Sequence, residues 1–263
     1  MIDITSAQWQ AWLQLFGWPS VRILAFLAAS PIWSWSSVPR QFKLLFGVAM
    51  AFAIAPSLPP MPNVPLFSLE SVGIMLQQIL IGAAMGLVLR IMIAVVINAG
   101  EYISMQMGLG FATFFSPDSG TNTMVLSRFL EMITLLMFLA LNGHLITLEI
   151  LAWTFEVLPV GATSIDLSFA ETLARWGGTI FTSGLLLALP VVASLLLINL
   201  SLGILNRASP QLTIFSIGFP MTLTAGLAMI LALTPNLGGF LSDLFEHQLQ
   251  FMQGMIEQMA GIG

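Results

Sequence analysis

Residues 72–98 read VGIMLQQILIGAAMGLVLRIMIAVVIN, and this stretch decides the fold class. It contains a single charged side chain, Arg90. A helix needs about 20 consecutive, mostly apolar residues to cross the roughly 30 Å hydrocarbon core of a bilayer. The stretch is therefore predicted to form a membrane-spanning helix.

Five further stretches have the same apolar character. They are residues 13–33, 43–58, 129–155, 179–205 and 212–233. Of the 263 residues, 57% are hydrophobic and 7% are charged, whereas an average soluble domain is about 25% charged. We therefore expect an all-α, multi-helix integral membrane protein with six spans arranged as hairpins, whose surface faces membrane lipid or other protein.

The sparse charged residues exclude several classes of protein. The seven Lys and Arg residues are scattered singly, so no basic patch is available for nucleic acid. Cysteine is absent and the two histidines, His144 and His247, lie far apart, so we expect no metal site. None of the motifs HExxH, GxSxG or GxxxxGKS/T occurs. We expect no catalytic residue, no cofactor and no enzymatic activity.

Residues 100–122, GEYISMQMGLGFATFFSPDSGTN, are apolar enough for the membrane but are interrupted by helix-breaking residues. Irregular backbone at membrane depth is tolerated only where it is buried in protein or lines an aqueous cavity. The segment is either a re-entrant loop that occludes a pore or a buried hairpin that only packs. Under the first interpretation the plug residues are Met105, Met107, Gly108, Gly110, Phe111, Phe114, Phe115 and Pro117.

Ionisable residues inside spans are costly and are therefore candidates for function. They are Arg22, Arg90, Glu131, His144 and Glu149. Arg128 and Glu131 are three residues apart, which favours a local ion pair. His144 and Glu149 point about 140° apart on a helix and cannot bind one ion. We interpret His144 as a hydrogen-bonded structural histidine in preference to a proton carrier.

Two helix surfaces are suited to packing. Gly82 and Gly86 form a GxxxG pattern, which favours either ordinary close packing of helices or a specific partner interface. After the last span, residues 238–261 carry apolar side chains at three- and four-residue spacing. They predict a C-terminal amphipathic helix, and the acids on its polar face favour protein over anionic lipid as its partner.

Four motifs, in this order, resemble the FliR/SctT family of type III secretion export-gate subunits. Residues 100–111 read GEYISMQMGLGF, and they are followed by FLALNGH at 138–144, LNRASPQ at 205–211 and IGFP at 217–220. The resemblance covers nearly the whole chain, and the form of the third motif is closer to the flagellar branch than to the injectisome branch.

The resemblance implies a single FliR-like domain over residues 1–263. Residues 1–205, with the plug loop 100–122, would be similar to FliP, and residues 206–263 would be similar to FliQ. It also implies a multi-pass subunit of the bacterial inner membrane in the flagellar basal body. FliP, FliQ, FlhB and FlhA would be its partners, and it would pass unfolded proteins.

The resemblance further implies contacts with neighbouring subunits. We expect Asn206, Arg207, Pro210 and Gln211 to make them, and Gly82, Gly86 and Arg90 to serve assembly as well. The main alternative from another class is a small-molecule secondary transporter. Such a protein would show internal repeats with paired broken helices, whereas the sequence shows one broken segment.

Overall fold

The computed structural model describes residues 6–33, 38–59, 61–62, 64–65, 68–110, 124–161, 165–208 and 218–262. These ranges contain eight α-helices, a single 3-10 turn at Ala55–Ser57 and no strand. The helices are α1 (Ser6–Ala29), α2 (Arg40–Ile54), α3 (Leu69–Gln106), α4 (Val125–Ala140), α5 (Gly143–Val157), α6 (Phe169–Trp176), α7 (Thr179–Ala208) and α8 (Phe219–Met259). The predicted all-α fold class is confirmed.

The first of two compact units consists of Met1–Ile91, Asn142–Trp176 and Glu246–Gly263. Aromatic rings make some of the contacts between its helices. The ring of Phe16 on α1 stacks on that of Phe52 on α2, with centroids 4.0 Å apart. Trp176 at the end of α6 stacks on Phe251 of α8 at 4.0 Å and donates a hydrogen bond from Nε1 to Gln248. Offset aromatic pairs of this kind add to the apolar area that they bury.

The second unit consists of Met92–Leu141 and Gly177–Phe245. Glycine allows its helices to approach closely. A Cβ added to Gly100 of α3 would lie 2.6 Å from Cα of Ser127 on α4, and one added to Gly184 of α7 would lie 3.0 Å from the Val95 carbonyl oxygen. Each unit is built from segments that are distant in the sequence. The borders of the units differ from the division near residue 205 that the resemblance implies. That division stays a prediction.

The part of the chain that the structure describes contains fewer candidate spans than the six that hydropathy predicts. Within the described ranges, four helices are long and apolar enough to cross a membrane, or five if a broken pair counts as one span. The stretch 43–58 belongs to α2, which has only 15 residues and ends at Ile54, because Pro56 follows in the 3-10 turn. The stretch 129–155 is the broken pair α4 and α5.

The break between α4 and α5 lies at Leu141 and Asn142. Asn142 has φ 58°, in the left-handed region that Asn tolerates better than most residues. Its carbonyl oxygen accepts the N–H groups of Leu145 and Ile146, so it starts the new helix. The Asn-Gly pair at 142–143 is a turn signal, and a continuous helix through it was the wrong prediction.

The C-terminal amphipathic helix is confirmed as a pattern but is not a separate element. Helix α8 runs without a break from Phe219 to Met259, although Pro235 lies inside it. The predicted apolar stripe of its second half is buried, for example at Leu241, Met252 and Ile256, whereas Asp243 and Glu257 are exposed. Other residues of the same chain therefore cover this apolar stripe.

Candidate functional site: the end of helix α3 and the assembly residues

Helix α3 ends at a glycine cap. Gly108 has φ 83°, which costs a residue with a side chain more than it costs glycine. The N–H of Leu109 donates to the Ser104 carbonyl at 3.0 Å, and the N–H of Gly108 donates to the Met105 carbonyl at 3.1 Å. This pair of bonds is the Schellman motif, which satisfies carbonyls that a helix end otherwise leaves unpaired. Helix α3 therefore runs past Asn98, where the predicted span ends.

The last two carbonyls of this helix end are bound by side chains of two other helices. Asn199 of α7 donates from Nδ2 to the Gln106 carbonyl at 3.3 Å, and Thr222 of α8 donates from Oγ1 to the Met107 carbonyl at 3.1 Å. A Cβ added to Gly226 would lie 2.5 Å from Cγ of Met107, so α8 packs directly on this side chain. The end of α3 is thus fixed by local and tertiary bonds together.

Some of the predicted plug residues lie within the described residues and the others lie outside them. Met105 is exposed, whereas Met107 is 1% exposed and belongs to the packed end of α3. Gly110 lies near Met124, since a Cβ added to Gly110 would be 3.5 Å from the Met124 Cε atom. Phe111, Phe114, Phe115 and Pro117 lie outside the described residues.

Replacing Gly108 with alanine is expected to destabilise the fold by about 1–2 kcal/mol, because a Cβ is strained at this φ. Gly108→Asn is expected to cost less, since asparagine tolerates the left-handed conformation. Thermal unfolding of the detergent-purified variants measures both. Gly254→Ala, on α8 with open space around the new Cβ, is the control. Equal stability of the alanine and asparagine variants at position 108 would contradict the conformational explanation.

Gly82 and Gly86 face α1 of the same chain. A Cβ added to Gly82 would overlap the carbonyl oxygen of Arg22, and one added to Gly86 would lie 2.9 Å from the amide nitrogen of Ser30. Of the two interpretations of the GxxxG pattern, the structure therefore shows close packing within the subunit, and α1 occupies the surface that a partner would need.

Arg22 is fully buried and links three helices. Its Nε donates to Oε1 of Gln78 on α3 at 2.7 Å, its Nη1 donates to the Thr154 carbonyl and hydroxyl oxygens at 2.9 Å, and its Nη2 donates to the Leu158 carbonyl at 2.7 Å. The guanidinium also lies 4.1 Å from the centre of the Phe155 ring. A cation at the carbonyl end of α5 is favoured by the helix dipole. Arg22 therefore has a structural role in the first unit.

The other ionisable candidates have ordinary surroundings. Arg128 and Glu131 form the predicted ion pair, with 2.8 Å between Nη1 and Oε2. His144 is half-buried, and its Nδ1 atom has no hydrogen-bond partner among the described residues, so the prediction of a hydrogen-bonded histidine is wrong for this nitrogen. Among all the residues that the structure describes, no group of three or more His, Cys, Asp or Glu could hold a metal ion.

The remaining assembly residues lie at the surface or outside the described ranges. Arg90 is exposed in the middle of α3 and makes no hydrogen bond or ion pair with any described residue. Arg207 is exposed in the last turn of α7, and Asn206 beside it is half-buried. Pro210 and Gln211 lie in a segment that the structure does not describe.

These features define an all-helical membrane protein whose polar side chains join helices to one another. The sequence profile of the bacterial export proteins, family 1, matches residues 13–248. The chain belongs to this family and, within it, to the flagellar biosynthetic proteins FliR, which makes it a membrane-embedded component of the flagellar export apparatus.

Three relatives illustrate the range of similarity. The chain is 44% identical to the flagellar biosynthetic protein FliR of Escherichia coli (strain K12), over 98% of this chain and 99% of the relative. It is 41% identical to that of Pectobacterium carotovorum subsp. carotovorum, over 99% of each. The protein of Bacillus subtilis (strain 168) is 26% identical over 90% of this chain and 92% of the relative.

Proposed function

We propose that the chain is a non-catalytic subunit of the flagellar type III export gate, which forms part of the channel together with FliP and FliQ. The gate lies in the bacterial inner membrane within the basal body, acts with FlhB and FlhA, and passes unfolded flagellar proteins. The segment that begins after Gly110 seals the channel when no substrate is present. Asn206, Arg207, Pro210 and Gln211 contact neighbouring subunits.

The fixed end of α3 is the observation that carries the proposal. The cap at Gly108 and the bonds from Asn199 and Thr222 leave no free carbonyl at this helix end. Gly110 and Met124, the residues that flank this segment, lie close together, since a Cβ added to Gly110 would be 3.5 Å from the Met124 Cε atom. A segment that starts beside a fixed helix end and has its flanking residues close together can move aside for a substrate and return to the same position.

The side chains of this segment suit a seal. Phe111, Phe114 and Phe115 are large and apolar, and a hydrophobic constriction blocks ions because water leaves it. Met105 is exposed next to the base of the segment and adds a flexible apolar side chain. Met107 is not available for the seal, because it is packed against Gly226 of α8 at the end of α3.

Replacing Phe111, Phe114 and Phe115 together with alanine is expected to make the assembled gate leak small ions, on the order of tenfold above the unsubstituted gate, because a wider and less apolar constriction stays wet. The measurement is ion flux across proteoliposomes that contain the purified complex. The matched control replaces three exposed phenylalanines elsewhere, Phe42, Phe129 and Phe181. An unchanged flux in a correctly assembled complex would refute the plug.

A further inference from the structure

Exposed side chains form a regular stripe along the first part of α3. Successive positions are separated alternately by four and three residues, and all are exposed except the half-buried Ala83. They are Leu69, Gly73, Leu76, Leu80, Ala83, Leu87 and Arg90. A mean spacing of 3.5 residues is the spacing at which a second helix packs along the first at a crossing angle of about 20°. The stripe has the geometry of a helix-packing seam without its second helix.

Arg90 is the one charged residue of this stripe, and it has no counter-charge among the described residues. It precedes Asn98, where the apolar stretch ends, by eight residues, which is about 12 Å along a helix. Side chains on a helix tilt toward its N-terminus, and for Arg90 this direction leads away from the nearer end. The geometry of the helix therefore makes it difficult for the Arg90 guanidinium to reach the water interface beyond Asn98.

We propose that this stripe is the docking site of an apolar helix from another subunit, and that an Asp or Glu carboxylate of that helix binds the Arg90 guanidinium. The proposal rests on the proposed function, because it requires a neighbouring membrane subunit. A guanidinium and a carboxylate form two parallel, charge-assisted hydrogen bonds. The other residues of the stripe are apolar, which favours an apolar helix over an aqueous channel wall as their neighbour. A second copy in the same orientation would place two arginines together, so the partner is a different chain.

The first test compares variants of the tagged full-length chain extracted from its native membrane in mild detergent. Arg90→Gln is expected to recover tenfold less of the partner subunits than the unsubstituted chain, and Arg90→Lys an intermediate amount. Arg175→Gln is the matched control, because this arginine is largely exposed and already pairs with Glu171. The size-exclusion profile of each isolated chain shows whether the variant is folded. Recovery of partners by folded Arg90→Gln at the unsubstituted level would overturn the docking site.

The second test identifies the partner residue. Arg90→Glu is expected to abolish motility, and selection for regained motility is expected to yield Asp or Glu changed to Lys or Arg within an apolar helix of a co-purifying subunit. Suppressors that restore motility without any such charge reversal would overturn the charge pair. If the unsubstituted chain recovers no partner at all, the proposed function is contradicted and the docking site with it, whereas failure of the Arg90 variants to differ overturns the docking site alone.

Discussion

Replacing Arg22 with methionine is expected to destabilise the protein by about 3–5 kcal/mol. The change leaves the Gln78 side-chain oxygen and the Leu158 carbonyl without their donors, and each buried, unsatisfied polar group costs about 1–3 kcal/mol. The Thr154 carbonyl keeps the bond from the Leu158 N–H, so it adds little. Because α1, α3 and α5 all meet at this side chain, the three helices are expected to separate together.

Thermal unfolding of the purified protein in detergent, followed by the accessibility of single cysteines introduced at the buried positions Ile23 and Leu151, measures this effect. Arg175→Met is the control, since an exposed ion pair contributes about 1 kcal/mol or less. Arg22→Lys keeps the charge, but one ammonium group cannot reach both Gln78 on α3 and the acceptors at the end of α5, so we expect an intermediate loss. Unfolding of Arg22→Met at the temperature of the unsubstituted protein would show that the network is not needed for stability.

Replacing Gly82 with alanine is expected to cost about 3 kcal/mol, at the upper end of the usual range for overpacking. The added Cβ would meet the backbone of α1 at the Arg22 carbonyl and at the Phe26 amide nitrogen, 2.9 Å away. Backbone cannot rotate aside as a side chain can, so α1 must move and carry Arg22 away from its partners. One methyl group therefore acts on the contact and on the arginine network together.

Gly73 provides a matched control on the same helix. A Cβ at Gly73 meets nothing within 4 Å, so Gly73→Ala is expected to be neutral or to stabilise α3 by about 0.5–1 kcal/mol. Comparing the unfolding temperatures of the two alanine variants separates helix propensity from close packing. Equal effects at both positions would mean that α1 can adjust to the methyl group without loss.

Hydropathy alone predicts the position of the long apolar helices, as α3 shows. The apolar stretch at 72–98 lies inside α3, and the glycine-rich stretch that follows it does end that helix, at Gly108. Local signals were less useful at proline. Pro190 and Pro235 do not end α7 or α8, although proline removes one backbone hydrogen bond of a helix.

The polar contacts of the site could not be predicted from spacing along the chain. Arg22 binds Gln78 and Thr154, which are 56 and 132 residues away, and no periodic pattern connects such positions. Its position inside an apolar stretch was the one signal in the sequence that it has a special role. The bonds from Asn199 and Thr222 to the end of α3 were missed for the same reason, since each polar residue resembles many others in its own helix.

The arginine network also constrains how the protein is made. Arg22 lies in α1, but its Nη2 donates to a carbonyl 136 residues later in the chain. At about 5–20 residues per second, that acceptor is synthesised about 7–27 s after the arginine. During this interval the guanidinium must be held by water, lipid headgroups or the insertion machinery. The final packing of α1 against the end of α5 therefore waits until α5 has been synthesised, although α1 is made well before it.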